Sequence, residues 1–316
     1  MAPFRHGPHS LDTIARAVGN TPLVRIRNIG RELKGVELYA KLEFFNPGGS
    51  VKDRPALSMV RDALASGRLG PGKTLIDSTS GNTGVAYAWI GAALGFKVAL
   101  VMPLNVSAAR KQITKAYGAE IIYSDPMEGS DGAIRMVRRL VEESPDRYFY
   151  PDQYSNEANP RAHTLGTARE IWEATKGRVT HFVAGIGTGG TIMGTGRGLK
   201  AFNEDVWVGA IEPDEPFHGL EGLKHMPSSL VPAIYRESEL DEKLSISTDE
   251  GWDLSERLAK EEGLLVGHSA GAAMAGALRV GRRLVEQGRS GVVVTLFPDR
   301  ADRYFEPRRW EKKYEW

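Results

Sequence analysis

Nine residues, Asn46-Pro-Gly-Gly-Ser-Val-Lys-Asp-Arg54, put one amine in an unusual place. A proline–glycine turn runs straight into an apolar-periodic stretch (Val51, Leu57, Met59, Val60, Leu64). That pattern predicts a tight loop feeding a helix, with Ser50 as its N-cap. Lys52 then falls in the first helical turn, where the backbone dipole disfavours a cation. Desolvation and positive potential both lower an amine's pKa, so Lys52 is a candidate for a neutral or covalently modified amine. Taken alone, the stretch reads more readily as a loop carrying a solvated surface lysine, and it is the later segments that reverse this.

A second stretch, Gly185-Ile-Gly-Thr-Gly-Gly-Thr191, lies between an apolar run ending at Ala184 and a helical pattern. Backbone N–H groups in such a turn, aimed by a helix N-terminus, bind a phosphate dianion. Thr188 and Thr191 add hydroxyl donors. No lysine follows the last glycine, so this is not a Walker A loop. Gly185, Gly187 and Gly190 do satisfy G-x-G-x-x-G, and Glu212 ends the next strand where a dinucleotide site keeps its ribose acid. A nicotinamide-dependent oxidoreductase is therefore a competing reading.

Ser78-Thr-Ser-Gly-Asn-Thr-Gly84 offers hydroxyls and exposed N–H groups at a helix start, a pocket for a carboxylate, although Asn82 alone also reads as a cap. Gly267-His-Ser-Ala-Gly271 opens a later helix, where Ser269 by itself reads as an N-cap. His163, His181 and His268 show no metal-ligand spacing, and no catalytic metal is expected.

The elements that must position these residues alternate. Strands are predicted at 21–26, 36–42, 74–77, 97–102, 120–123, 180–184, 206–211, 244–247 and 291–297. Helices are predicted from the Asn46 loop to Ser66 and at 82–94, 107–117, 131–143, 164–175, 191–202, 250–262 and 270–287. Residues 1–10 read as a flexible arm, 148–154 as a crossing between lobes, 213–232 as a long loop, and 300–316 as a tail packing across a lobe or subunit. The expected fold is α/β: two open, twisted, mostly parallel sheets with helices on both faces. The smaller lobe is expected at 45–151 and the larger at 1–44 with 152–316.

Composition bounds the chemistry. The 316 residues carry 41 basic and 40 acidic side chains, which gives no reason to expect a nucleic acid or an anionic membrane as partner. With no cysteine there is no disulfide, thiolate metal site or cysteine nucleophile. The apolar window 85–102 is broken by Gly95 and Lys97 and reads as a buried helix–strand pair, not a membrane span. A soluble, cytoplasmic protein is expected.

Together the four motifs, in this order, resemble the fold type II pyridoxal-phosphate enzymes of the cysteine synthase / cystathionine β-synthase family, closest to the cysteine synthase B type. The likeness runs from Gly19-Asn-Thr-Pro-Leu23 to Asp299-Arg-Ala-Asp-Arg-Tyr304. It implies pyridoxal 5′-phosphate in a cleft between the lobes. Lys52 resembles the lysine of the internal Schiff base, Asn82 the partner of the cofactor's 3′-oxygen, and Ser269 the serine at the pyridine nitrogen. Gly187, Thr188, Gly189, Gly190 and Thr191 match the phosphate cup. Thr79, Ser80, Gly81 and Thr83 fall on the loop that closes over the substrate carboxylate, with Gln153 nearby.

The implied reaction is β-replacement through an aminoacrylate, making L-cysteine from O-acetylserine or O-phosphoserine and a sulfur donor. Lys52 moves the α-proton, and the family implies a homodimer. Lys224 stands in the region where relatives that take O-phosphoserine carry an arginine. Cystathionine β-synthase is the alternative, because Asp152-Gln-Tyr-Ser-Asn156 and Glu262–Gly271 resemble both groups. A dehydratase is further off, since Thr83 stands where such enzymes keep a histidine.

Overall fold

The structure of the protein, a computed structural model, describes residues 13–79, 81–104 and 108–304. The expected N-terminal arm, Ser80 and the tail beyond Tyr304 lie outside them. In chain order the elements are β1 (Leu23–Ile26), β2 (Val36–Leu42), α1 (Asp53–Ala65), β3 (Thr74–Ser78), α2 (Asn82–Leu94), β4 (Lys97–Pro103), α3 (Ala108–Ala116), β5 (Glu120–Ser124), α4 (Gly129–Glu143) and β6 (Tyr148–Phe149). There follow α5 (Ala158–Ala162), α6 (Ala168–Ala174), β7 (His181–Gly185), α7 (Gly190–Phe202), β8 (Trp207–Pro213), β9 (Glu242–Ile246), α8 (Thr248–Glu262), α9 (His268–Glu286) and β10 (Gly291–Phe297).

Two sheets result. One has six strands in the order β1-β2-β10-β7-β8-β9, parallel except for the β1–β2 pair. The other has four parallel strands, β5-β4-β3-β6. Parallel strands covered on both faces read as unbroken apolar runs, and β4 and β10 are buried along all but their first residue. Between the strands of the smaller sheet, α2 is apolar nearly all round and buried from Thr83 to Gly91, as a helix inside a core must be. The larger sheet carries its main core against α9, through Met274, Leu278 and Val293.

Several boundaries differ from the sequence expectation. Ser50 is not the N-cap of α1. It forms an isolated bridge to Asp299, its hydroxyl accepts from the Lys52 N–H at 3.2 Å, and Lys52 itself holds the cap position. Tyr148–Phe149, expected to be part of a crossing, pairs with β3 as an edge strand. The helix expected from Thr164 starts at Ala158, because Pro160 lies in the first turn and its missing N–H costs no intrahelical bond there. It then passes through a π-helical turn, His163–Thr167, before α6. Ser269 lies inside α9, whose cap is Gly267.

A buried ion network fixes the start of α1. Arg54 meets Glu43 at 2.6 Å and Glu170 at 2.7 Å, and Lys41 meets Glu170 at 2.7 Å. Burial opposes ionisation of Glu43 and Glu170, but the Arg54 guanidinium outweighs it and holds both carboxyls below their ordinary value of 4.5. Removing one partner strands a buried charge. Arg54→Met should therefore cost about 3–5 kcal/mol in urea unfolding of the cofactor-free protein, and a loss under about 1 kcal/mol would show the network to be dispensable. Because the folded pKa values are depressed, this stabilisation is complete above the unfolded value and is lost as pH falls below about 4.5.

Candidate active site

The loops at the C-terminal ends of β7 and β10 open onto one cleft, as ligand sites of parallel sheets do. Its lining includes Lys52, Asn82, Gly187, Thr188, Gly189, Thr191, Ser269, Leu296, Pro298 and Asp299. Four of these contributions come from helix starts: Lys52 caps α1, Asn82 opens α2, Gly189 caps α7, and Ser269 sits in the first turn of α9. Each N-terminus presents unpaired N–H groups and positive potential, so the cleft favours anions.

Lys52 is held there by the backbone around it. Val51 N–H donates to the Pro298 carbonyl at 2.9 Å, tying the loop to the end of β10. Asp53 turns inward and accepts from Trp89 Nε1 at 3.0 Å and from the Gly48 N–H. Burial pushes the Asp53 carboxyl up to about 6, against those two hydrogen bonds. The Lys52 amine makes no hydrogen bond or ion pair among the described residues. Burial lowers its pKa, and the charge of Asp299 offsets this only in part. An amine so placed is readily neutral, which nucleophilic chemistry requires.

The glycine turn forms the cup. Gly189 sits at φ +88°, a backbone conformation that side chains resist. At Gly190 a Cβ would lie 1.9 Å from Asn159 Oδ1, so this glycine lets Asn159 reach the turn. Asn159 Nδ2 donates to Thr188 Oγ1 at 3.0 Å and to the Gln153 carbonyl at 2.8 Å. Behind Thr191 lies His163, with Nε2 3.4 Å from Thr191 Oγ1 and Nδ1 2.9 Å from Thr167 Oγ1. Burial, followed by the positive charge of Arg54, drops the His163 pKa to about 3 and keeps the ring neutral.

Around the carboxylate loop, Thr83 Oγ1 donates to Gln153 Oε1 at 3.0 Å, joining two predicted site residues. Gly81 caps α2 and its N–H lies 3.4 Å from Thr79 Oγ1. Thr79, Gly81, Thr83 and Gln153 border the cleft residues without lining the cleft themselves. Ser269 is buried, and its hydroxyl has no partner among the described residues. Lys224 is placed apart from the lining, its amine 5.1 Å above the Tyr154 ring, while Glu221, Gly222 and Leu223 reach the cleft instead.

Glu212, the acid a dinucleotide would need, is committed elsewhere. It accepts from the Met226 N–H at 3.3 Å and pairs with Lys243 at 3.4 Å. Among the described residues no group of three or more His, Asp or Glu side chains is placed to hold a metal ion. No helix among them is long and apolar enough to cross a membrane.

Sequence reasoning missed Asn159, His163, Asp299 and Arg303. Asp299 follows β10, so its place at the shared C-terminal edge of the strands was the available signal. The others are reached only through folding.

The sequence matches the family described as "Pyridoxal-phosphate dependent enzyme" over residues 14–299. A cysteine synthase from Aquifex aeolicus is 54% identical over 295 residues, covering 93% of this chain and 90% of that relative. Cysteine synthase B from Pseudomonas aeruginosa is 44% identical over 292 residues, covering 92% and 95%. The crystal structure of a cysteine synthase (OASS) from Entamoeba histolytica superposes with a TM-score of 0.91 at 34% identity, covering 100% of this chain and 95% of that one.

The cup fits a phosphate, and the Lys52 amine and Ser269 hydroxyl, without partners among the described residues, fit the two ends of a pyridine aldehyde. Replacing Gly190 by alanine should push Asn159 off Thr188. Pyridoxal-phosphate affinity, followed by fluorescence titration of the cofactor-free protein, should fall roughly tenfold or more. Unchanged affinity would show that Asn159 does not support the cup.

Proposed function

The chain belongs to the cysteine synthase family of pyridoxal-phosphate-dependent enzymes, and on that premise we propose that it makes L-cysteine from O-acetylserine and a sulfur donor by β-replacement. The observation that carries the reading is the Lys52 amine, without a partner among the described residues and with a lowered pKa, in the same cleft as the glycine cup that opens α7.

In this reading Lys52 holds the cofactor, and Gly187, Thr188, Gly189, Gly190 and Thr191 bind its phosphate through N–H and hydroxyl donors. Asn82 meets the ring oxygen and Ser269 the ring nitrogen. Pyridoxal phosphate, when bound, supplies an electron sink for the pair left at the substrate Cα. Thr79, Ser80, Gly81 and Thr83 receive the substrate carboxylate at the positive end of α2, with Gln153 behind Thr83. Lys52, as the free amine, takes the α-proton as the Cβ–oxygen bond breaks, and returns it to Cα after sulfur has bonded to Cβ. Ser269, being neutral, does not keep the ring nitrogen protonated, which favours prompt loss of the β-substituent over other fates of the α-carbon.

The charges lining the cleft support acetate as the leaving group. Lys52 is the one cation among the described lining residues, beside the acids Glu221 and Asp299, and Lys224 is stacked on Tyr154. A phosphate dianion leaving from Cβ would find no second cation there. Residues 45–151 act as the smaller lobe, closing its 79–83 loop over the substrate and shedding water, and 1–44 with 152–316 as the larger. The enzyme works as a cytoplasmic homodimer on small-molecule substrates.

Mixing the enzyme separately with O-acetylserine, O-phosphoserine and serine tests this. O-acetylserine should change the visible spectrum of the bound cofactor, and later addition of sulfide, not homocysteine, should restore it with release of product. A response to serine and homocysteine alone would make the enzyme a cystathionine β-synthase. Lys52→Ala should reduce turnover at least about 10⁴-fold, as loss of a nucleophile that is also the general base does. Retained activity would defeat its role.

A further inference from the structure

We infer that Asp299 and Arg303 are positioning residues that lock the side-chain amide of Asn82, so that its free Nδ2–H, and not its carbonyl oxygen, faces the cleft. This rests on the reading above that Asn82 meets the cofactor's ring oxygen.

An asparagine amide is nearly symmetric in shape but not in chemistry: one end donates twice and the other only accepts. Here each end has a charged partner. Asn82 Nδ2 donates to Asp299 Oδ2 at 2.6 Å, and Asn82 Oδ1 accepts from Arg303 Nη1 at 2.5 Å. Turning the amide over would set a carbonyl against a carboxylate and an NH₂ against a guanidinium, losing two charge-assisted hydrogen bonds at once. One Nδ2–H remains uncommitted among the described residues, on the residue that lines the cleft.

The two partners are themselves fixed. Asp299 is 1% exposed, and its Oδ2 also accepts from the Tyr304 hydroxyl. Its Oδ1 is buried without a partner. Burial raises the Asp299 carboxyl, opposed by Tyr304, Asn82 and the charges of Arg303 and Lys52. With Oδ2 already holding two donors, a proton taken up goes to Oδ1, so Oδ2 accepts from Asn82 in either state. Arg303 Nη2 donates to the Gly48 carbonyl, in the loop that leads to Lys52. One guanidinium therefore spans the Lys52 loop and the start of α2, and fixes the spacing between amine and amide.

The test uses holoenzyme and cofactor-free protein of wild type, Asn82→Ala, Asp299→Ala, Asp299→Asn, Arg303→Met and the Asn82→Ala/Asp299→Ala double variant. The readouts are the absorbance maximum of the bound cofactor, the pKa of that band, and the pyridoxal-phosphate Kd. Asn82→Ala should shift the band and its titration and weaken binding. Asp299→Ala and Arg303→Met should each reproduce most of the shift, with binding weaker by about tenfold. Asp299→Asn, which keeps an acceptor, should restore part of it.

In the Asn82→Ala background, Asp299→Ala should add less than about twofold, since a partner acting through Asn82 has nothing left to act on. Additive effects, or weaker binding with an unmoved band and titration, would overturn the inference, the latter marking a structural role alone. A wild-type-like band and Kd in Asn82→Ala would defeat the Asn82 assignment and the inference with it, while the band itself would still uphold Lys52. If Asp299→Ala does not fold, judged by far-ultraviolet dichroism, Arg303→Met alone and in the Asn82→Ala background decides the question.

Discussion

Positive potential from converging helix starts is the constraint to which the rest of the cleft answers. Four N-termini, each worth roughly half an elementary charge, meet around one cleft. A phosphate is welcome there, a carboxylate is welcome, and a protonated lysine is not. The Lys52 amine is discouraged from carrying a charge chiefly by its burial, and a helix start adds nothing to favour one. Ser269 suits that field, because a hydroxyl adds no further charge to the cleft.

Such a field is useful only if the helix starts stay in register, and charged side chains secure them. Arg54 clamps α1 to Glu43 before it and to Glu170 on α6. Arg303 fastens the loop ahead of Lys52 to the start of α2. Asn159 and His163 brace the cup from behind through Thr188 and Thr191. Each of these groups reaches the cleft through a neighbour.

The layout of the fold was legible because its signals are local. Apolar runs of four to seven residues, most of them followed by helical periodicity, gave both sheets except the edge strand β6, and the glycine- and hydroxyl-rich stretches gave the loops at their ends. Ser50 was misassigned because a serine before a helix is a local capping signal, and a pairing with Asp299, far along the chain, overrode it. Gly190 was legible as a glycine, but its reason, the approach of Asn159, was not. Asp299 and Arg303 were hidden for the same cause: a contact spanning over two hundred residues leaves no periodicity to read.

The π-helical turn at His163–Thr167 carries one residue more than an α-helical path needs. It therefore sets the rotational phase of everything after it. Losing one residue from the turn would restore a regular helix and swing the downstream face by about 100°. With His163 held against Thr191, Glu170 would be carried away from Lys41 and Arg54. An irregularity of one residue thus serves as the indexing pin that lets a single helical segment address the cup on one side and the ion cluster on the other. Chains of this kind should tolerate length changes in their surface loops far more readily than at this buried bend.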